Sequence, residues 1–407
     1  MTTTRPLQIA FVVQGGARWT GGVQYSHALL GSIRALPDAE RESVRTIAVA
    51  PQSLAPDELS QVASVADYLI APNTRRRASL RSRALWRVSA RLGFGPTQLS
   101  EALSHLDQDF AFPHLPRRSE RPRYRSAAWI PDFQHVHLPS FFSEEELRSR
   151  DAAFEDIARR SKQVVLSSRT AQDDFVRRYP FARDRARVLH FHSLIPVGSW
   201  QGHEEVARRY ELPSRYFVVC NQFWAHKNHL TVFEALRIAR SRGVNAHVVC
   251  TGPLEDYRRP HYIGEVRRRL SEGGIEPSVR LLGRIPRSDQ LQVIRGAVSL
   301  IQPSLFEGWS TVVEDARALG KRLLLSDIPV HREQAPRDAD FFDPHDADAL
   351  ALRMAADWRA VRGGPDAECE LAARMEMRDL IVESARAFLS IARGDPAHTQ
   401  SNDGVIT

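Results

Sequence analysis

Short apolar runs recur along the chain, separated by stretches long enough for a helix. In the first half they cover 7–13, 45–50, 67–71, 127–131, 163–167 and 187–191. In the second half they cover 216–220, 246–251, 279–283, 297–302, 322–326 and 340–343. Runs of this length, apolar on both faces, predict buried parallel strands. The spacers carry a helical period: Tyr25, Leu29, Ile33 and Leu36 share one face, and Leu230, Phe233, Leu236 and Ile238 continue a similar stripe. Alternating strands and helices in two sets predict an α/β protein of two doubly wound domains. The predicted division is 1–198, 199–376, a helix 377–392 that crosses back to the first domain, and a polar disordered tail 393–407.

Composition adds bounds. The chain has 407 residues, 43% hydrophobic and 26% charged, which suits two globular domains. No run reaches the roughly 18 apolar residues of a membrane span. The opening run 7–13 is too short for a signal-peptide core and reads as a first strand. Cys220, Cys250 and Cys369 form no CxxC pair, which excludes a disulfide scaffold and a cysteine zinc site. The expected compartment is the reducing cytoplasm. The net charge of +7 favours anionic partners without naming one. It is almost all arginine, since the lysines are Lys162, Lys227 and Lys321.

The richest chemistry lies in Pro303-Ser304-Leu305-Phe306-Glu307-Gly308-Trp309-Ser310-Thr311, which follows the run 297–302. Ligands of doubly wound sheets bind at that end of a strand. Gly308 permits close backbone approach, and Ser310 or Thr311 opens a helix whose free amides suit a phosphate. Glu307 faces the same crevice, where a carboxylate can accept bonds from sugar hydroxyls. Thr311 and Glu314 fit a capping box, and Asp315 stands eight residues after Glu307. Lys227 follows the run 216–220, and its flexible ammonium suits a diphosphate. Gly15-Gly16 and Gly21-Gly22 bracket the first strand-to-helix loop. His135, with His137 two residues on, ends another strand and can donate or accept near developing charge. The strings Asp338-Ala339-Asp340 and Asp346-Ala347-Asp348 read as loop and helix-start acids, so no metal site is expected. From Arg75 to Arg91 there are seven arginines and no acid, with apolar residues at helical spacing. That pattern fits peripheral contact with anionic membrane as well as a solvated helix face. Nucleic acid is not an expected partner.

The segment 303–316, with Gly320-Lys321 and Ser326-Asp327-Ile328-Pro329-Val330-His331-Arg332-Glu333, resembles family four retaining glycosyltransferases of the GT-B fold. The resemblance implies two Rossmann-like domains facing a central cleft. That family carries a Glu-x7-Glu motif: Glu307 matches its first acid and Asp315 its second, which holds the nucleotide ribose. The loop from Asn221 through Gln222 to His229 is similar to the family's donor pyrophosphate loop; Lys227 matches its lysine, while Gln222 stands where arginine is common. By the same resemblance Gly22 faces the cleft, His135 reaches the donor sugar, Gly252 lies near the phosphates and Arg284 sits in the loop facing the base. Gly308, Trp309, Ser310 and Thr311 complete the expected donor site. No metal or other cofactor is implied. The expected donor is a GDP- or UDP-sugar, with a slight preference for GDP-mannose, and the expected acceptor a glycan or lipid-linked hydroxyl of a cell-surface polysaccharide. The expected place is the cytoplasm or the inner membrane face. A nucleotide-sugar epimerase and a catalytically degenerate binding protein remain as alternatives.

Overall fold

A computed structural model describes residues 5–16, 20–51, 54–70, 102–334, 336 and 339–395. The basic stretch from Arg75 to Arg91 lies outside these residues, as do Asp338 and the tail beyond Asp395.

The first domain supplies β1 (Leu7–Val12), β2 (Val44–Val49), β3 (Tyr68–Ile70), β4 (Phe110–Phe112), β5 (Arg125–Ser126), β6 (Ala128–Ile130), β7 (Val164–Leu166) and β8 (Ala186–Val188). They form sheets of order β3-β2-β1-β4-β5 and β6-β7-β8, with every pairing parallel. One extended segment joins the two: the Ala127 amide bonds Ala111, and the next amide, Ala128, bonds Gln163. The two-residue β5 lies outside the apolar runs, as does β4, an interior strand. Its apolar core, Phe-Ala-Phe, is only three residues long.

The second domain holds β9 (Phe217–Cys220), β10 (Val248–Thr251), β11 (Val279–Leu281), β12 (Leu300–Gln302), β13 (Leu323–Ser326) and β14 (Ala339–Phe342). Their order is β11-β10-β9-β12-β13-β14, again all parallel. The order reverses at β9 and β12, so a crevice opens at their carboxyl ends. Both strands are wholly buried, as strands covered on both faces must be.

The last helix, Ala367–Arg393, is longer than its periodic stretch suggested. Asp366 caps its start by accepting from the Glu368 and Cys369 amides, and Gly394 at φ 75° ends it. Its first turns belong to the second domain through the buried Arg295–Glu370 pair. Its last turns belong to the first: Phe388 is fully buried with its ring 5.2 Å from Phe112 and 6.1 Å from Phe110. Burying such a ring contributes roughly 1.5–3 kcal/mol. Trp309, Ile328 and Val330 of the second domain enter the same core.

Candidate active site

The loops that follow β9 and β12 are stitched together by backbone. Ala225–Lys227 forms a short turn, after which Asn228 takes a left-handed conformation at φ 57°. The Asn228 amide side chain donates to the Pro303 carbonyl at 3.1 Å and to Pro344 at 2.8 Å. The Leu305 amide bonds the His226 carbonyl at 2.9 Å. These bonds place Lys227 Nζ 2.6 Å from Glu307 Oε1. The two side chains keep 16% and 9% of their exposure, so the pair sits in one recess. Burial pushes the Glu307 carboxyl up, but the Lys227 charge and hydrogen bond, the Ser304 hydroxyl and nearby His331 outweigh it and hold it below the ordinary value.

Gln302, the last residue of β12, completes the arrangement. It is 1% exposed, accepts from Asn221 Nδ2 at 2.7 Å and donates to Glu307 Oε1 at 2.8 Å. Gly252 packs against Asn221: an added Cβ would lie 2.1 Å from the Asn221 carbonyl. Gln222 is half-buried in the same loop. His331 is fully buried, and burial lowers it to about 4. His229, stacked 4.0 Å from Phe223, is likewise lowered to about 3.

The first domain closes the other wall. An added Cβ on Gly308 would lie 2.5 Å from the Pro131 carbonyl and 2.8 Å from Asp132 Cβ, so glycine is what lets the loops meet. Gly22 makes a comparable approach to Gly15, whose amide lies 2.9 Å from the Cβ position. The His137 ring stacks 5.2 Å from Phe306, the neighbour of Glu307, and its Nε2 lies 2.6 Å from Asp174.

Several expected residues sit elsewhere. His135 is 2% exposed and packs among Phe133, Phe142 and Phe154, with Nε2 3.1 Å from Asp151. Of these two imidazoles, His137 is the one that meets the acid loop. Trp309 does not line the recess: it stacks on His190 at 4.3 Å and donates to the Phe191 carbonyl. Ser310 precedes the helix Thr311–Ala318, but its amide donates to Gln334 Oε1 at 3.3 Å and is not free for a phosphate. Thr311 is half-buried at the helix start. The capping-box reading of Glu314 fails, because the fully buried carboxylate accepts from Gln334 at 2.9 Å and pairs with His192 Nδ1 at 2.7 Å. Asp315 is also fully buried, and its two oxygens take both arms of the Arg287 guanidinium and the Ser193 hydroxyl. A ribose diol would have to compete with those donors. Arg284 reaches across to Glu58 at 3.3 Å. Asp346 caps the helix Ala347–Ala360, and Asp340 and Asp348 pair with Arg322 and Arg242. Among the described residues no group of three or more His, Cys, Asp or Glu side chains is gathered as a metal site, and no helix is long and apolar enough to cross a membrane.

The segment 190–193 and the helix Pro329–Gln334 join the domains. His190 Nε2 lies 2.8 Å from Glu333. The same carboxylate accepts from the Arg169 and Thr170 amides at 2.6 and 3.1 Å, capping the first-domain helix Arg169–Arg178 from across the cleft.

The chain is similar to known proteins. Residues 214–356 match the family described as glycosyl transferases group 1. The O-antigen chain mannosyltransferase RfbU of Salmonella typhimurium is 22% identical over 188 residues, 46% of this chain and 48% of RfbU. The chain thus spans about half the length of that curated relative. The crystal structure of Anabaena HepE in complex with UDP and glucose superimposes with a TM-score of 0.65 at 12% identity, over 95% of this chain and 99% of HepE. WaaG, a glycosyltransferase involved in lipopolysaccharide biosynthesis, superimposes with a TM-score of 0.57 at 14% identity, over 95% of this chain and 98% of WaaG. The chain therefore has the two-domain α/β architecture of GT-B glycosyltransferases, and its residues 214–356 match the glycosyl transferases group 1 family.

Proposed function

We propose that this protein transfers a hexosyl unit from a nucleoside diphosphate sugar to a glycan or glycolipid hydroxyl in cell-surface polysaccharide synthesis. The observation that carries the reading is the Lys227–Glu307 pair, 2.6 Å apart at the carboxyl ends of β9 and β12 and walled by the first domain. An ammonium held by a carboxylate can exchange that partner for a diphosphate with little movement, because a lysine head is a rotatable point charge. Lys227 then stabilises the charge that appears on the leaving group. The helix His229–Ser241 begins two residues later and adds its positive end. With Ser310 engaged by Gln334, most of this work falls on Lys227.

Glu307, kept ionised, orients the sugar and stabilises positive charge at the anomeric carbon. Departure of the nucleoside diphosphate breaks the glycosyl–phosphate bond, and the acceptor oxygen forms the new one as its proton passes to the departing phosphate. Retention of configuration and independence from metal belong to the same reading. HepE bound to UDP and glucose and the mannosyltransferase RfbU support a hexose donor. GDP-mannose remains the first candidate.

The test is a screen of GDP-mannose, UDP-glucose, UDP-galactose and UDP-N-acetylglucosamine. One of them should raise the melting temperature by mass action and release nucleotide faster when glycan acceptors are added. Epimerised donor without acceptor would replace transfer by isomerisation. Binding without turnover across the acceptor panel would leave a binding protein.

A further inference from the structure

We infer that Gln302 is the residue that holds Glu307 in register once the donor is bound, an inference that rests on the transferase reading above. Two donors address Glu307 Oε1: Lys227 Nζ at 2.6 Å and Gln302 Nε2 at 2.8 Å. The first must turn to the diphosphate when the donor enters. The second has no such freedom. Its Nε2 also lies 3.1 Å from Ser310 Oγ and 3.3 Å from Ser304 Oγ, and its Oε1 accepts from Asn221 Nδ2 at 2.7 Å. Tied to Asn221 and to the two serine hydroxyls and 1% exposed, the amide stays in place while Lys227 leaves.

The same anchors tie the acid to the donor loop. Asn221 opens that loop directly after β9, and Ser310 opens the helix behind the acid. A shift of either end therefore reaches Glu307 through one rigid amide. Buried polar networks of this kind act as units when every member is satisfied. Gln302 touches no reacting atom, so it is a positioning residue. Its contribution appears after the donor is bound, in kcat rather than in donor KM.

The experiment is a double-mutant cycle on nucleotide release from whichever screened sugar the wild type turns over. Gln302→Met removes the donor at nearly constant volume. Gln302→Glu keeps an acceptor for Asn221 and serves if the methionine variant fails to fold. Either should lower kcat by about 10- to 100-fold with donor KM within about threefold. Combined with Glu307→Gln, either should add less than about twofold, because residues acting as a unit are not additive. Equal losses in both backgrounds, or a loss confined to KM, would overturn the inference. If Glu307→Gln itself keeps the wild-type rate, or the wild type releases nucleotide from none of the sugars, the transferase reading falls and this inference with it. If Glu307→Gln is slow and both Gln302 variants are fast, only this inference falls.

Discussion

Glu307 and the acids on the helix that follows it, Glu314 and Asp315, are all buried carboxylates with cationic or hydrogen-bonding partners, yet they are built for opposite duties. Glu307 is held by Lys227, whose ammonium a substrate can draw away. Asp315 is held by the planar fork of Arg287 together with Ser193, and Glu314 by His192 and Gln334. Those partners lie on the first-domain segment 190–193 and on neighbouring helices, so they join domains. Residue type does not separate the two classes; whether the partner can be exchanged does.

The comparison breaks most readily at Asp315. Asp315→Ala leaves the half-buried Arg287 guanidinium without its carboxylate, which should destabilise the protein by about 3 kcal/mol, read from the urea midpoint. Wild-type stability in that variant would place Asp315 in substrate binding instead of the seam. Glu307→Gln should do the reverse, lowering kcat by roughly 10²–10³-fold while the unfolding midpoint and nucleotide affinity change little. Equal loss of rate and nucleotide affinity would argue against its role at the sugar.

Acid sharpens the contrast. Burial lowers His27, His114 and His331 to about 4 and His229 to about 3, and for His27 the Arg287 charge adds to burial. Each folded value lies below the ordinary 6.5, so the unfolded chain binds protons that the folded chain refuses. Their stability contribution is complete above pH 6.5 and is lost as pH falls toward 4. Glu314 and Glu333 also sit below their ordinary value, with burial opposing and their histidine partners prevailing, so their contribution is lost only at lower pH still. A plot of unfolding free energy between pH 6.5 and 4 should slope downward, and His229→Phe should flatten it by about one proton. A flat wild-type curve would refute the assignment.

Smaller effects come from the seam. Glu333→Gln weakens the cap on Arg169–Arg178, costing about 1 kcal/mol, and should speed hydrogen exchange of the Arg169 and Thr170 amides. Unchanged exchange would mean that the cross-domain cap contributes nothing. Trp309→Phe removes one bond to Phe191 while keeping the stack on His190, at a cost of about 1 kcal/mol; a loss of donor affinity in that variant would return Trp309 to the binding site.

Much of the architecture was legible because parallel strands covered on both faces must be continuously apolar. Runs such as 216–220 and 246–251 coincide with β9 and β10 for that reason. β4 escaped because three residues carry no measurable period, and the start of the last helix escaped because its first turns are mostly exposed. Within the site, Lys227 and Glu307 stood out as scarce or charged residues at strand ends. Gln302 and Asn228 did not, since a neutral amide has no signature until its partners are known. His135 and His137 differ only in which way the chain turns after Ile130, and two residues of spacing do not say which ring enters the core.

Local pattern was enough to decide that this chain makes two parallel α/β layers with chemistry at the strand ends, because hydrophobic burial is written into periodicity. Which buried acid meets a lysine and which meets an arginine depended on loops 80 residues apart in the lysine pair coming together in space. Pairing energies between such distant side chains exist only after the chain has folded, and no local spacing encodes them.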